Sequence, residues 1–182
     1  MQQIGLIAGL NIVKPYLRAK FLRKMFKKAI LFLTLVLAVA ASWQCNKSST
    51  PCTPVAPQAD EAAILQYVST AGMTAVKDES GLYYQVLQEG SGGAPNLNSQ
   101  IFIKYSGTMT NGTQFDSQND PTRTGWALRT LIPGWQIGIP KIKKGGKIKM
   151  VVPSALAYGC TAYGNIPANS ILVFEVELVD FY

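Results

Sequence analysis

Histidine is missing from all 182 residues of this chain. Its absence removes the side chain that most often carries protons near neutral pH, and so argues against most acid/base enzymes. Cysteine is scarce. There are three, Cys45, Cys52 and Cys160, with no C-x-x-C and no repeated spacing to support a disulfide framework or a zinc site. Cys52 falls in a flexible segment and Cys160 in a loop, so the expectation is that they stay unpaired, although export would permit a bond. Long apolar runs are missing too. The uncharged stretch from Ala29 to Ser42 has 14 residues, against the roughly 20 that a spanning helix needs. Beyond residue 44 there is no excess of either charge: 10 basic residues face 10 acidic ones. The whole-chain charge of +7 comes from Lys14, Arg18, Lys20, Arg23, Lys24, Lys27 and Lys28, which have no acidic neighbour within residues 1–44. The basic balance is therefore no sign of nucleic-acid binding. The later cluster Lys141, Lys143, Lys144, Lys147 and Lys149 reads as a solvated face.

What is present begins with that basic, then apolar, leader. A positive segment, a short hydrophobic run and small residues form a secretory signal over residues 1–44, with an uncleaved anchor as the alternative. Met25-Phe26-Lys27-Lys28 makes a compact basic start by itself, so Met25 is an alternative first residue. Cys45 follows directly, and then the polar run Asn46-Lys47-Ser48-Ser49-Thr50. This arrangement resembles a bacterial lipoprotein signal, in which the cysteine becomes the lipidated first residue. Trp43-Gln44 departs from the small residues usual just before it. The competing reading is a secreted protein cut near Ala41 with Cys45 free. One acyl chain holds a membrane only marginally, so stable anchoring takes more than one.

Pro51, Pro54 and Pro57 among small polar residues mark 45–59 as a flexible linker. Asp60 offers an N-cap, and Ile64, Leu65, Tyr67 and Val68 lie at helical spacing, which predicts a short helix over about 60–70 that ends near Gly72, within a lead-in of residues 60–80. From Gly81 the period changes to two. Strands are expected at 82–87, 101–109, 113–116, 147–153 and 171–181, with Asn111-Gly112 as a hairpin turn. Trp135 to Ile142 is the expected helix of the body, kept to about two turns by Pro140. The fold class is α+β, an antiparallel sheet with one helix packed across it, plus the short N-terminal helix.

The residues with chemical character in this body are nearly all apolar. Tyr105, Phe115, Leu131, Ile132, Trp135 and Phe174, with the phenol of Tyr158 and the carboxylate of Asp116, suit a ligand cleft with a few placed polar groups. Singly, Trp135 and Phe174 read more readily as core than as pocket, while Tyr105 and Tyr158 fit ordinary sheet aromatics and Asp116 a turn cap. In order they are more specific. Tyr105-Ser106-Gly107, Gly112-Thr113-Gln114-Phe115-Asp116-Ser117, Ile132-Pro133-Gly134-Trp135, Leu156-Ala157-Tyr158-Gly159, Ile166-Pro167 and Leu172-Val173-Phe174-Glu175-Val176-Glu177-Leu178 resemble the FKBP-type peptidyl-prolyl isomerases across residues 82–182.

The resemblance implies a five- to six-stranded antiparallel half-barrel sheet wrapped around one short helix, with the isomerase domain over 81–182. It implies rotation of X–Pro bonds in exported, proline-containing polypeptides, with no cofactor and no metal. The alternative is a chaperone-like peptide-binding module with weak or no turnover. It places a prolyl ring on Trp135, between walls of Tyr105, Phe115, Leu131, Ile132 and Phe174. The Tyr158 hydroxyl and the Ile132 N–H would meet a substrate carbonyl, Asp116 would be a buried carboxylate and Ile166 would contribute from the last loop. The 116–135 segment is shorter than in the commonest small members, so Arg123 and Trp126 are only loosely matched to the rim. The loop 159–165 is also unlike theirs. Macrolide-type inhibitors are ligands that the resemblance allows. The leader suggests a membrane-anchored envelope lipoprotein, facing the periplasm or in the outer membrane.

Overall fold

The computed structural model describes residues 52–182. The expected signal segment, Cys45 and the first part of the linker lie outside the described residues. Seven strands form one open antiparallel sheet: β1 (Val76–Lys77), β2 (Tyr83–Gln88), β3 (Gln100–Met109), β4 (Gln114–Gln118), β5 (Trp126–Ala127), β6 (Lys147–Val152) and β7 (Leu172–Phe181). Their spatial order is β1-β2-β6-β7-β3-β4, with β5 also paired to β3. The five long strands match the period-two segments to within one or two residues. The two added strands, β1 and β5, are two residues long, too short to show an alternation. Among the described residues no helix is long and apolar enough to cross a membrane.

The edge of β3 is shared. β4 pairs with Tyr105 to Thr108, and β5 pairs with Gln100 and Ile101. Between them the N–H of Ile103 donates to the Thr124 hydroxyl at 3.0 Å. A backbone group that neither short strand reaches is thereby satisfied.

Two helices cover the two faces. Helix α1 (Glu61–Thr70) lies over Tyr83, Val151 and Val173, one cross-strand row. Helix α2 (Pro133–Gly138) packs on the other face against Met150, Val152, Leu172 and Phe174, within a core that includes Ile101, Ile103 and Tyr105. Both faces are covered here, so Met150, Val151 and Val152 are all buried, where a one-sided strand would alternate. The helix begins at Pro133, two residues before the expected start, because proline is pre-set for a first turn. It gives way to a 3₁₀ turn, Ile139–Lys141, around Pro140. Gly134 and Gly138 sit one turn apart on the face of α2 toward β6. A Cβ on Gly134 would lie 2.5 Å from Val152 Cγ1, and one on Gly138 would strike Met150. The two glycines let the helix lie close to the sheet.

Two expectations for the N-terminal lead-in fail. Asp60 does not cap α1 with its side chain. Its Oδ2 instead accepts from the N–H of buried Ser154 at 2.7 Å, because a 3₁₀ turn, Pro57–Asp60, runs straight into the helix. Cys52 is not free: it is disulfide-bonded to Cys160, with Cα atoms 5.4 Å apart. The part of the linker from Cys52 is therefore tied to the body. Folding brings together thiols 108 residues apart, a pairing that local spacing cannot show. The lysine cluster is largely paired: Lys141 to Asp78 at 2.7 Å, Lys144 to Asp180 at 2.7 Å and Lys147 to Glu177 at 3.3 Å.

Candidate active site

Tyr105 and Gly107 come to one face of β3 by strand alternation, and both are buried. Phe115 and Asp116 are adjacent in sequence, yet both line the same cavity. The register explains this. Gly107 pairs with Asp116 and Thr108 with Gln114, so Phe115 is an extra, unpaired residue. Such a bulge breaks the alternation and re-aims side chains. Gly107 lies beneath the result. A Cβ there would fall 2.7 Å from Phe115 Cζ and 2.9 Å from Phe174 Cε1. The two rings meet edge-on across the glycine, with centroids 5.6 Å apart.

Trp135, on the first turn of α2, forms the floor and is 5% exposed. Tyr105 and Phe174 both meet it in edge-to-face pairs at 5.1 Å, with interplanar angles of 76° and 83°. Trp126 lies 6.5 Å from it and tilted by 32°. These contacts hold the indole in one orientation. Leu131 and Ile132 are held from inside the same helix: Gln136 Nε2 donates to the Leu131 carbonyl at 2.7 Å and to the Arg129 carbonyl at 3.1 Å. The Ile132 carbonyl accepts from Trp135 and Gln136, at 2.9 and 3.2 Å, while its own N–H has no acceptor among the described residues.

The polar groups are few. Tyr105 donates its hydroxyl to Asp116 Oδ2 at 2.7 Å, and Asp116 Oδ1 accepts from the N–H of Ser117 at 2.8 Å. Burial, and then the hydrogen bond to Asp116, push the Tyr105 phenol well above its usual range. Burial first, and then the neighbouring Tyr163 and Asp116, also raise Tyr158. Both phenols therefore stay protonated at neutral pH. The Tyr158 hydroxyl has no partner among the described residues, so it can donate outward.

Together these groups enclose about 280 Å³, lined by Tyr105, Phe115, Asp116, Trp126, Thr130, Leu131, Ile132, Trp135, Tyr158 and Phe174. That is near the lower end of ligand pockets, roughly 300 to 1,000 Å³. Eight of the nine residues singled out from the sequence come together. Ile166 does not: it is 5% exposed within the core and not in the lining. Of the two loosely matched rim residues, Trp126 lines the cavity, and Arg123 sits exposed on a 3₁₀ turn away from it. Asp116, expected to be buried, is exposed, because β4 is an edge strand. Thr130 was missed, and Gly107 was noted only as part of a motif, without a role in the site. No local signal marks Thr130, and the role of Gly107 depends on rings from two other strands. Among the described residues no three histidine, cysteine, aspartate or glutamate side chains converge so as to hold a metal ion.

An aromatic floor, flanking apolar walls and a few donors on an antiparallel sheet with one crossing helix define a class that comparison with known proteins makes specific. The profile of the FKBP-type peptidyl-prolyl cis-trans isomerases matches residues 92–179. The crystal structure of FkpA from Escherichia coli superposes with a TM-score of 0.60 at 30% identity, covering 95% of this chain and 84% of that one. The chain belongs to this family. The FKBP-type peptidyl-prolyl cis-trans isomerase FkpA of Escherichia coli (strain K12) is 47% identical over 104 residues, which is 56% of this chain and 38% of that protein. The FkpA of Aeromonas hydrophila is 45% identical over 102 residues, again 38% of its length. The matched part of the chain thus spans well under half the length of these curated relatives.

Proposed function

We propose that the chain catalyses cis-trans rotation about X–Pro bonds of exported polypeptides, with the 280 Å³ cavity as the prolyl pocket. The observation that carries this reading is the Trp135 floor, boxed by Tyr105, Phe115 and Phe174, next to two donors without partners, Tyr158 O–H and Ile132 N–H. The X–Pro bond is a tertiary amide with a rotation barrier of roughly 18–20 kcal/mol, and its isomers exchange over tens of seconds or longer. No covalent bond is made or broken. What must change is the relative stability of the planar and twisted amide. Planarity draws on a charge-separated resonance form that water favours. A cavity walled by aromatic rings withdraws that water, so the twisted amide loses less. The prolyl ring on Trp135 supplies binding energy that can favour the twisted geometry over either planar isomer. Tyr158 and Ile132 can hold the carbonyl as it turns. Asp116 acts on the wall, fixing Tyr105 through the 2.7 Å bond.

The test is a protease-coupled X–Pro assay on the purified full chain, with Trp135→Ala, Phe174→Ala and Asp116→Asn. A wild-type rate equal to the uncatalysed one refutes the proposal. Tight peptide binding without acceleration would identify a peptide-holding module instead.

We further propose that the protein works in the cell envelope, anchored through a lipidated Cys45. The leader supports this, and a disulfide suits an exported chain. Replacing Cys45 with alanine should release the protein from membranes; unchanged membrane association refutes the anchor.

A further inference from the structure

We propose that Tyr163 positions Tyr158, and that the Cys52–Cys160 disulfide holds Tyr163 in place. The inference rests on the isomerase reading for its catalytic consequence, but not for its structural content. Tyr163 is 61% exposed. Its ring stands mostly in water, beside the cavity-lining Tyr158. One face of the ring is occupied: it stacks on Tyr158 with centroids 4.5 Å apart and planes 4° from parallel. Tyr158 lines the cavity from the end of a short 3₁₀ turn, Ser154–Leu156. Its hydroxyl has no partner among the described residues to fix the ring, so the Tyr163 face is the contact that restrains it from outside.

Tyr163 owes its place to a loop fixed at both ends. On one side, Tyr163 and Ile166 exchange backbone hydrogen bonds of 2.9 and 2.8 Å, and Ile166 is sunk into the core at 5% exposure. On the other side, Cys160 is bonded to Cys52. Thr161, next in the chain, lies with its hydroxyl 3.6 Å from Cys52 Sγ and its N–H 3.4 Å from the Tyr158 carbonyl. Between these two fixed points Ala162 and Tyr163 have little freedom. If the disulfide is opened, the Cys160 side loses its covalent tie and keeps only backbone hydrogen bonds, among them the long 3.4 Å bond of Thr161. The stack then competes against the regained freedom of the loop.

A stacked aromatic pair of this kind corresponds to an effect of about two- to tenfold. Tyr163→Ala should lower kcat/KM for an X–Pro peptide by that factor, while Tyr163→Phe, which keeps the ring, should restore it. Dithiothreitol gives a second, independent perturbation. It donates two electrons and two protons, the S–S bond breaks to two thiols, and the reagent closes to its own disulfide. Reduction of the wild type, or Cys52→Ser, should cause a loss similar to that of Tyr163→Ala. In the Tyr163→Ala background neither should add to it, because the group through which the disulfide acts is gone. Non-additivity separates positioning from general destabilisation. Tyrosine-ring resonances, read in parallel on selectively labelled protein, should show Tyr158 shifting on reduction in the wild type but not in Tyr163→Ala. Equal fold-losses on reduction in both backgrounds, or Tyr158 resonances unmoved by reduction, overturn the proposal. If the wild type proves inactive, the isomerase reading falls and the resonances alone decide the positioning.

Discussion

Replacing Gly107 with alanine adds one methyl group beneath the two rings that close the cavity. The backbone at Gly107 is ordinary extended strand, so the substitution brings no conformational strain, and its effect is packing alone. The new Cβ would lie 2.7 and 2.8 Å from Phe115 Cζ and Cε2, and 2.9 Å from Phe174 Cε1. To reach the 3.4 Å of ordinary contact, Phe115 must retreat by about 0.7 Å. Phe174 cannot yield as easily, since it is 3% exposed and braced on Trp135. Phe115, carried on the bulge of an edge strand, therefore takes the larger part of the movement, and Phe174 must still give or the strand shift to relieve its own 2.9 Å contact. Overpacking of this size costs about 1–3 kcal/mol of stability. Displacements approaching 1 Å at a binding wall can cost about a hundredfold in rate, so kcat/KM should fall by about tenfold to a hundredfold. The assay is X–Pro isomerisation at several peptide concentrations, with urea unfolding to measure stability. Gly93→Ala is the control, because a Cβ there meets nothing within 4 Å. Loss of stability with kcat/KM intact would refute the placement of Phe115 in the substrate wall. No change in either would refute the packing itself.

Asp78 is held at about 2, below its usual 3.8, by its hydrogen bond to Lys141 and then by the N–H of Ser80. Its folded value is depressed, so the stabilisation is complete only above about pH 5 and is lost as pH falls from about 5 to about 2. It should amount to about 1–2 kcal/mol. Urea unfolding across that range should show the loss, and Asp78→Asn should flatten it; an unchanged slope in the variant would be contrary. Asp60→Ala leaves the buried N–H of Ser154 without its acceptor and should cost about 1–2 kcal/mol. An unchanged unfolding midpoint would show that the bond is not holding the N-terminal helix to the body. Cys52→Ser opens a link between residues 108 apart and should lower unfolding stability by about 2–4 kcal/mol. Dithiothreitol should bring the wild type to the same value, and a gap between the two would point to an effect of the serine itself.

The elements of the sheet were legible because each carries its own signal. Period-two alternation in Ile101, Ile103 and Tyr105, the Asn111-Gly112 turn and the apolar run Met150 to Val152 are local properties of the chain. The residue types of the cavity were legible as well, since Trp135, Tyr105, Phe115 and Phe174 stand in fixed order on those elements. Tertiary structure alone decided how they meet. Phe115 and Asp116 share a face only because a register shift against β3 leaves Phe115 unpaired, and Asp116 is exposed only because β4 ends up at the sheet edge. Trp126 reaches the cavity and Arg123 does not, because β5 takes the free end of β3. Ile166 sinks into the core, and Cys52 finds Cys160 across a long stretch of intervening chain. Periodicity and turn chemistry act over a few residues and are written in the sequence. Register, edges and contacts between distant segments are settled by the packing of the whole chain.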